Sequence, residues 1–399
     1  MHSSLSSSAA IKKRLEQNWI QYLKENSSKL SLDHIEGASP PSVFVGRYGY
    51  PKVMVGPMIP PLHGDTAVLD RPEAWKGKTI DEIVNFRLSL VRGVRALDVN
   101  TTSGRFIENL HELAMSERPV ESEAVFEKQP LADIDLEKEI RLNADAAPFG
   151  PAAPLKYFRL LASSADSRIE SAYYDKDLQA SDAILALFKA GIETSRIHRA
   201  LSIGMLGSKK GRKLVPTRWS ITATDDVISK KLVKEIEIYP AIDRFEVTAY
   251  SHLANHYAVI LIPDAVWSFE MIESWFPHDG RIGVGSDYED ARGLYHYPAI
   301  AGAYFAAKLA VVEHLSRRRR RAAALVLREI HPEYVMPLGV WQIREGVREG
   351  LRKEPAYFEN LIDANSFASH HLSVSKDEIL NRSLLWKSTR DQKRITDFA

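Results

Sequence analysis

Apolar residues recur every third or fourth position in some stretches and every second position in others, and the switch between these periods lays out the chain. Ile11, Leu15, Trp19, Ile20 and Leu23 share helical spacing, which predicts a helix over Ile11–Leu30. Ser39-Pro40-Pro41 then sets an extended segment, because a residue before proline avoids the α region. Val43 and Val45, then Val53 and Val55, alternate around Gly46-Arg47-Tyr48-Gly49-Tyr50-Pro51, which reads as strand, turn and strand. Thr79 followed by Glu82 has the spacing of a capping box, and the helix behind it is expected to bury Ile83, Phe86, Leu90 and Val94. Phe106, Leu110 and Leu113 keep helical spacing within Ser103–Pro119. An acid-rich stretch over Glu117–Asp145 is broken at Pro130 and Ala146–Pro151. Asp182–Ile203 reads as one or two helices that Gly204 and Gly207 end.

In the second half, Thr222 or Thr224 is expected to cap a helix through Val227, Ile228, Leu232 and Val233. Ile236–Pro263 reads as strands: Phe245, Val247 and Ala249 alternate before a Ser251–His256 turn, and Ala258–Ile262 is a buried apolar run. Trp267–Trp275 is expected to be helical, and the glycine-rich Pro277–Asp287 to be a junction between two halves. From Pro298 a helical pattern carries Tyr304, Ala307, Val311 and Leu315. Five arginines interrupt it before Ala322, Leu325, Val326 and Ile330 resume helical spacing up to His331-Pro332. Trp341, Ile343, Val347 and Leu351 predict another helix, and a last one is expected around Leu380 and Leu385 before a polar tail. The fold class expected is α+β, with a mixed sheet and helices in a large N-terminal region and a mainly helical C-terminal region.

Composition narrows this picture. The 399 residues allow two or three domains, and 45% hydrophobic with 26% charged residues is ordinary for a globular chain. Lys and Arg total 53 against 52 acidic residues, so any polyanion contact must come from local patches. With no cysteine, disulfides, thiolate-bound zinc, iron–sulfur clusters and a thiol nucleophile are excluded. No uncharged apolar stretch is long enough for a membrane span, so no membrane partner is expected. The serine-rich start has no apolar core and is not expected to be a secretory signal; the expected location is cytoplasmic, near the nucleoid.

Candidate chemistry falls in five places. Arg47, Tyr48 and Tyr50 between two glycines can grip a phosphate and stack on a base, or simply decorate a hairpin. Arg218, Ser220, Thr222, Asp225 and Asp226 form the densest polar group, readable as a catalytic set or as a helix cap with a structural arginine. Adjacent Asp225 and Asp226 point to different sides, so they do not clasp one metal unaided. Lys209, Lys210 and Arg212 make a basic loop, and Arg317, Arg318, Arg319, Arg320 and Arg321 a run suited either to phosphates or to carboxylate pairing. The last group is Gln392, Ile395, Phe398 and Ala399: glutamine, an aliphatic three on and an aromatic three further is the spacing of a peptide that binds the sliding clamp PCNA. A 3₁₀ turn brings positions i and i+3 to one side, so Ile395 and Phe398 would form a two-pronged plug. His252 and His256 have helical zinc spacing but fall in a turn, and Gly280, Gly283 and Gly285 match no nucleotide fingerprint. No cofactor and no metal is expected.

Four strings together resemble the archaeal Nre family of DNA repair proteins: Ser39–Pro51 (SPPSVFVGRYGYP), Ser89–Gly93 (SLVRG), Leu214–Ala223 (LVPTRWSITA) and Pro337–Gln342 (PLGVWQ). The resemblance implies an N-terminal family region over 39–285 and a C-terminal one over 290–385, flanked by a 1–38 lead and a 386–399 tail. It further implies a role in DNA damage repair and a clamp-binding terminus, and in that setting the basic patches are expected to contact DNA. The cysteine cluster that often opens family members is missing, so zinc is not carried over. An enzyme acting on DNA or a nucleotide-derived group through Arg47, Arg218 and Asp225 is the alternative.

Overall fold

Two six-stranded sheets, each with one parallel pair among antiparallel ones, organise the computed structural model. It describes residues 33–130, 150–264, 266–276, 282–335 and 337–391, with 13–15, 17–18, 20–21 and 24–25. The fold is α+β. Its two compact units are Ala10–Ile228 with 336–339, and Ser229–Val335 with Val340–Ala399.

The first unit holds β1 (His34–Ser39), β2 (Val43–Val45), β3 (Lys52–Ile59), β4 (Val91–Asp98), β5 (Val120–Phe126) and β6 (Ala152–Leu160), ordered β1-β5-β6-β4-β3-β2. Alternation is clearest in β5, where Val120, Ser122, Ala124 and Phe126 are buried and the residues between them are not. Gly56 allows β3 to lie against β4, since a Cβ there would sit 1.6 Å from the Gly93 carbonyl oxygen.

Helices α1 (Ile80–Leu88), α2 (Arg105–Met115), α3 (Ser167–Tyr174), α4 (Ala180–Lys189) and α5 (Thr194–Ser202) complete the layers. The capping box forms as expected: the Thr79 hydroxyl accepts from Glu82 N at 3.2 Å and Glu82 accepts from Thr79 N at 2.8 Å. Leu90 and Val94 are buried after the end of α1, however, in the approach to β4 and in β4 itself. Helix α2 buries Ile107, Leu110 and Leu113, and the 182–203 pattern resolves into α4 and α5. Leu15 is buried, and the described residues within the expected Ile11–Leu30 helix are helical.

Helix α6 (Thr217–Ile236) contains the Ile228/Ser229 division between the units. It begins several residues before the caps expected at Thr222 or Thr224; Pro216 precedes it, and both threonines lie inside it.

The second unit orders β10-β9-β11-β8-β7-β12, with β7 (Phe245–His252), β8 (Asn255–Ile262), β9 (Phe269–Trp275), β10 (Gly283–Glu289), β11 (Ala323–Ile330) and β12 (Ala356–Phe358). Two segments read as helical are strands. In β9 nearly every residue is buried on both faces, and Glu270 and Glu273 imitate the polar side of a helix while holding buried partners. In β11 a run of buried apolar residues satisfies helical and strand patterns alike, and sheet pairing with β8 and β9 decides between them. The glycine-rich stretch after Trp275 connects β9 to its neighbour β10 within one sheet. Helices α7 (Gly302–Arg318), α8 (Trp341–Leu351), α9 (Leu361–Ser369), α10 (Lys376–Arg382) and α11 (Leu384–Asp391) fill out this unit. Its core joins Val247, Ile260, Leu325 and Leu327 to Leu361, Ala364, Val374 and Leu385 of the C-terminal segment. Truncating such a fully buried leucine to alanine costs about 2–5 kcal/mol.

Candidate functional site

The β2–β3 turn projects Arg47, Tyr48 and Tyr50 from the edge of the first sheet, and the start of α6 comes to meet it. Gly49 has a φ of +80°, and its carbonyl accepts from Lys52 N at 2.9 Å to close the turn. Val45 N donates to the Thr217 hydroxyl at 3.0 Å, which ties the strand to the first residue of α6. Val99 N donates to Pro51 O at 2.9 Å and Leu214 N to Val99 O at 2.7 Å, so three distant segments share one backbone network. Ser202 reinforces it by donating its hydroxyl proton to Val215 O at 2.7 Å.

On this frame the Tyr50 and Trp219 rings lie 5.3 Å apart at 52°. Tyr48 rests on Arg47, whose guanidinium is 5.0 Å from the ring centroid and donates to the phenol oxygen at 3.1 Å. Tyr48 is 80% exposed, Tyr50 52% and Trp219 46%. Arg47 and Arg218 make no ion pair among the described residues, and Arg218, Lys52 and Lys213 are exposed. The turn and the first turn of α6 thus expose three aromatic rings, two of them in contact with each other, together with the cations Arg47, Arg218, Lys52 and Lys213. Trp219 was the residue that sequence reasoning passed over; the signal for it was a tryptophan between two polar positions at a helix start.

The other candidates are placed differently. Ser220 is buried and its hydroxyl donates to Thr217 O at 2.9 Å, Thr222 donates to Arg218 O, and Asp225 is buried roughly two helical turns beyond exposed Arg218. Asp226 is half-buried. Arg47, Arg218 and Asp225 therefore share no single exposed face. Lys209 and Lys210 are exposed, but Arg212 turns inward: it stacks 5.1 Å over Tyr173 and donates to Gly207 O at 2.8 Å and Tyr173 O at 2.6 Å.

The arginine run does not continue a helix. Helix α7 ends at Arg318, and Arg319 adopts the left-handed conformation at φ 50°. Arg318 pairs with buried Glu246, and Arg321 donates to Glu237 O at 2.5 Å. Arg317 lies 3.9 Å from Glu313, while Arg319 and Arg320 are exposed. His252 and His256 sit on the two strands of one hairpin, where the register sets them opposite Asn255 and Ser251. Gln392, Ile395, Phe398 and Ala399 lie outside the described residues.

Behind the hairpin, the first family string has a structural purpose of its own. Ser42 donates to the buried carboxylate of Asp70, which also pairs with Arg87 at 2.7 Å and Arg199 at 2.9 Å. Among the described residues His34, Glu36 and Glu123 are close enough to share a cation, but Glu123 already pairs with Arg159 and with His34 at 2.9 Å. Two histidines are held neutral by burial. His111 is pushed down to about 4; its Nε2 donates to Ile203 O at 2.9 Å and Tyr173 meets Nδ1 at 3.2 Å. His314 is also pushed down to about 4 by burial, with Arg318 against its Nε2 at 3.2 Å.

The two mixed sheets with their helices define an α+β protein, and sequence comparison supplies the family. Residues 15–279 match the archaeal Nre N-terminal family and residues 289–398 the archaeal Nre C-terminal family. The chain belongs to the archaeal Nre family. It is 37% identical to DNA repair protein NreB of Archaeoglobus fulgidus over 91% of this chain and 92% of that one. It is 36% identical to DNA repair protein NreA of the same organism over 88% of each, and 34% identical to NreA of Haloferax volcanii over 92% and 89%. No solved structure matches it.

Proposed function

We propose that this chain is a DNA repair factor that the sliding clamp PCNA recruits through Gln392, Ile395, Phe398 and Ala399, and that meets DNA through the surface around Arg47, Tyr48, Tyr50 and Arg218. Similarity along about nine tenths of the chain to proteins named for DNA repair carries the repair role. For recruitment, the C-terminal family match extends over Gln392, Ile395 and Phe398, which supports the reading. Helix α11 ends at Asp391, immediately before Gln392. Lys393 and Arg394 add positive charge suited to an acidic partner.

Titration calorimetry with purified clamp tests recruitment. Removing residues 392–399, or changing Phe398→Ala, is expected to abolish binding while leaving the thermal unfolding of the body unchanged. Undiminished affinity in both variants would overturn it.

A further inference from the structure

We infer that Tyr48, Tyr50 and Trp219, edged by Arg47 and Arg218, take the bases of unpaired DNA, so that the surface prefers single strands to duplex. The inference rests on the DNA contact proposed above and specifies the state of the DNA. A duplex hides the faces of its bases and offers phosphates, for which cations alone suffice. Exposed rings on a turn and on a helix start find suitable partners in the faces of unstacked bases, whose binding is tolerant of sequence.

Three observations favour that occupant. First, the segments that carry the rings are tied together: Val45 N donates to the Thr217 hydroxyl, and the backbone bonds from Val99 to Pro51 and from Leu214 to Val99 link the turn to the segment leading into α6. Little ordering is then left for binding to accomplish. Second, Tyr50 and Trp219 meet at 52° rather than stacking face to face, which leaves ring area open beside each. Third, the cations at the rim are available. Arg47 donates to its neighbouring tyrosine and makes no ion pair among the described residues, and Arg218, Lys52 and Lys213 are exposed. The arginine run of the second unit contrasts with this, since Arg318 and Arg321 are committed to protein acceptors.

Fluorescence anisotropy on the full chain, with a labelled oligothymidylate and a blunt duplex of equal length, tests the inference. The wild type should bind the single strand more tightly. Tyr50→Ala and Trp219→Ala should each weaken single-strand binding roughly tenfold and duplex binding less than about twofold, as expected for loss of base stacking. Trp219→Phe should restore most of the loss. Tyr48→Ala, which removes a ring that is 80% exposed, tests stacking with little expected effect on the fold. Arg47→Ala with Arg218→Ala should weaken both ligands and flatten the salt dependence. Equal wild-type affinities, or single-strand binding unmoved by Tyr48→Ala and Trp219→Ala, overturn the inference. If duplex binding still depends on the two arginines, the proposed DNA contact stands and only the preference falls. If neither ligand binds, both fall, while clamp titration continues to report on recruitment separately.

Discussion

The two sheets share a plan and use their polar residues in opposite ways. Each has one parallel pair, β6 with β4 and β9 with β11, among antiparallel neighbours. In the first unit the exposed chemistry sits at a sheet edge, on the β2–β3 turn, and the buried charge cluster around Asp70 lies off the strands in a connecting segment. In the second unit several buried carboxylates stand on the strands themselves. Glu270 of β9 accepts from Leu384 N and Leu385 N, each at 3.0 Å, and from the Ser383 hydroxyl. Glu329 of β11 accepts from Ser373 N and Val374 N, both at 2.7 Å. Glu273 holds Arg328, and Glu289 holds Lys308 at 2.6 Å. Glu270 satisfies free N–H groups at the start of α11, and Glu329 those of the residues leading into α10, so the two fasten C-terminal segments to the sheet. A cation at an exposed tip has no such internal duty and is open to a partner. The first unit thus leaves cations exposed on a turn, while the second spends its strand carboxylates on internal partners.

The comparison can be broken most directly at the buried charges. Glu273→Ala leaves Arg328 buried without its carboxylate and should cost about 3–5 kcal/mol. Asp70→Ala strands Arg87 and Arg199 together and should cost a similar amount, about 3–5 kcal/mol. Glu270→Ala, which removes only hydrogen bonds to neutral donors, should cost less, roughly 1–3 kcal/mol. Denaturant unfolding measures all three, and a Glu273→Ala loss under about 1 kcal/mol would remove the strand carboxylates from any structural role.

Acid gives a second, smaller handle, with one histidine in each unit. Both His111 and His314 are held near 4 in the fold against an ordinary value of 6.5. Between those values the unfolded chain binds the extra proton. The stability is therefore complete above about pH 6.5 and is lost as pH falls toward 4, on the order of 2–3 kcal/mol for each histidine. His111→Gln and His314→Gln should each flatten part of the stability profile in that window. A profile unchanged by both substitutions would mean that other groups set the acid response.

The smallest effect sharpens the contrast within the arginine run. Arg319→Ala with Arg320→Ala should change stability by less than about 0.5 kcal/mol, because both side chains are exposed. Arg318→Ala, which leaves Glu246 buried without its partner, should cost about 1–3 kcal/mol. If neutralising Arg317 to Arg321 also leaves DNA affinity unaltered, the run serves the fold and plays no part in the interface.

Local physics was readable along the chain. The Thr79–Glu82 capping box, the turn between Val45 and Val53, and the helices around Leu110 and Leu187 rest on contacts within a few residues, and spacing alone reveals such contacts. The four family strings were legible in the same way. The β9 and β11 segments were not, because a strand buried on both faces loses the alternation that marks a half-buried one. Their glutamates and arginine look solvent-facing until partners such as Ser383 and Asn255, far away in the chain, are brought beside them.

The sequence by itself therefore determined the short-range elements, the α+β class and the family, since each depends on residue type and spacing. Only the tertiary structure decided that Tyr50 meets Trp219, that Arg212 turns inward while Arg218 stays free, and that buried glutamates hold the final helices. Those outcomes follow from strand pairing and long-range hydrogen bonds, and a polar side chain's availability is settled by what the rest of the fold places within its reach.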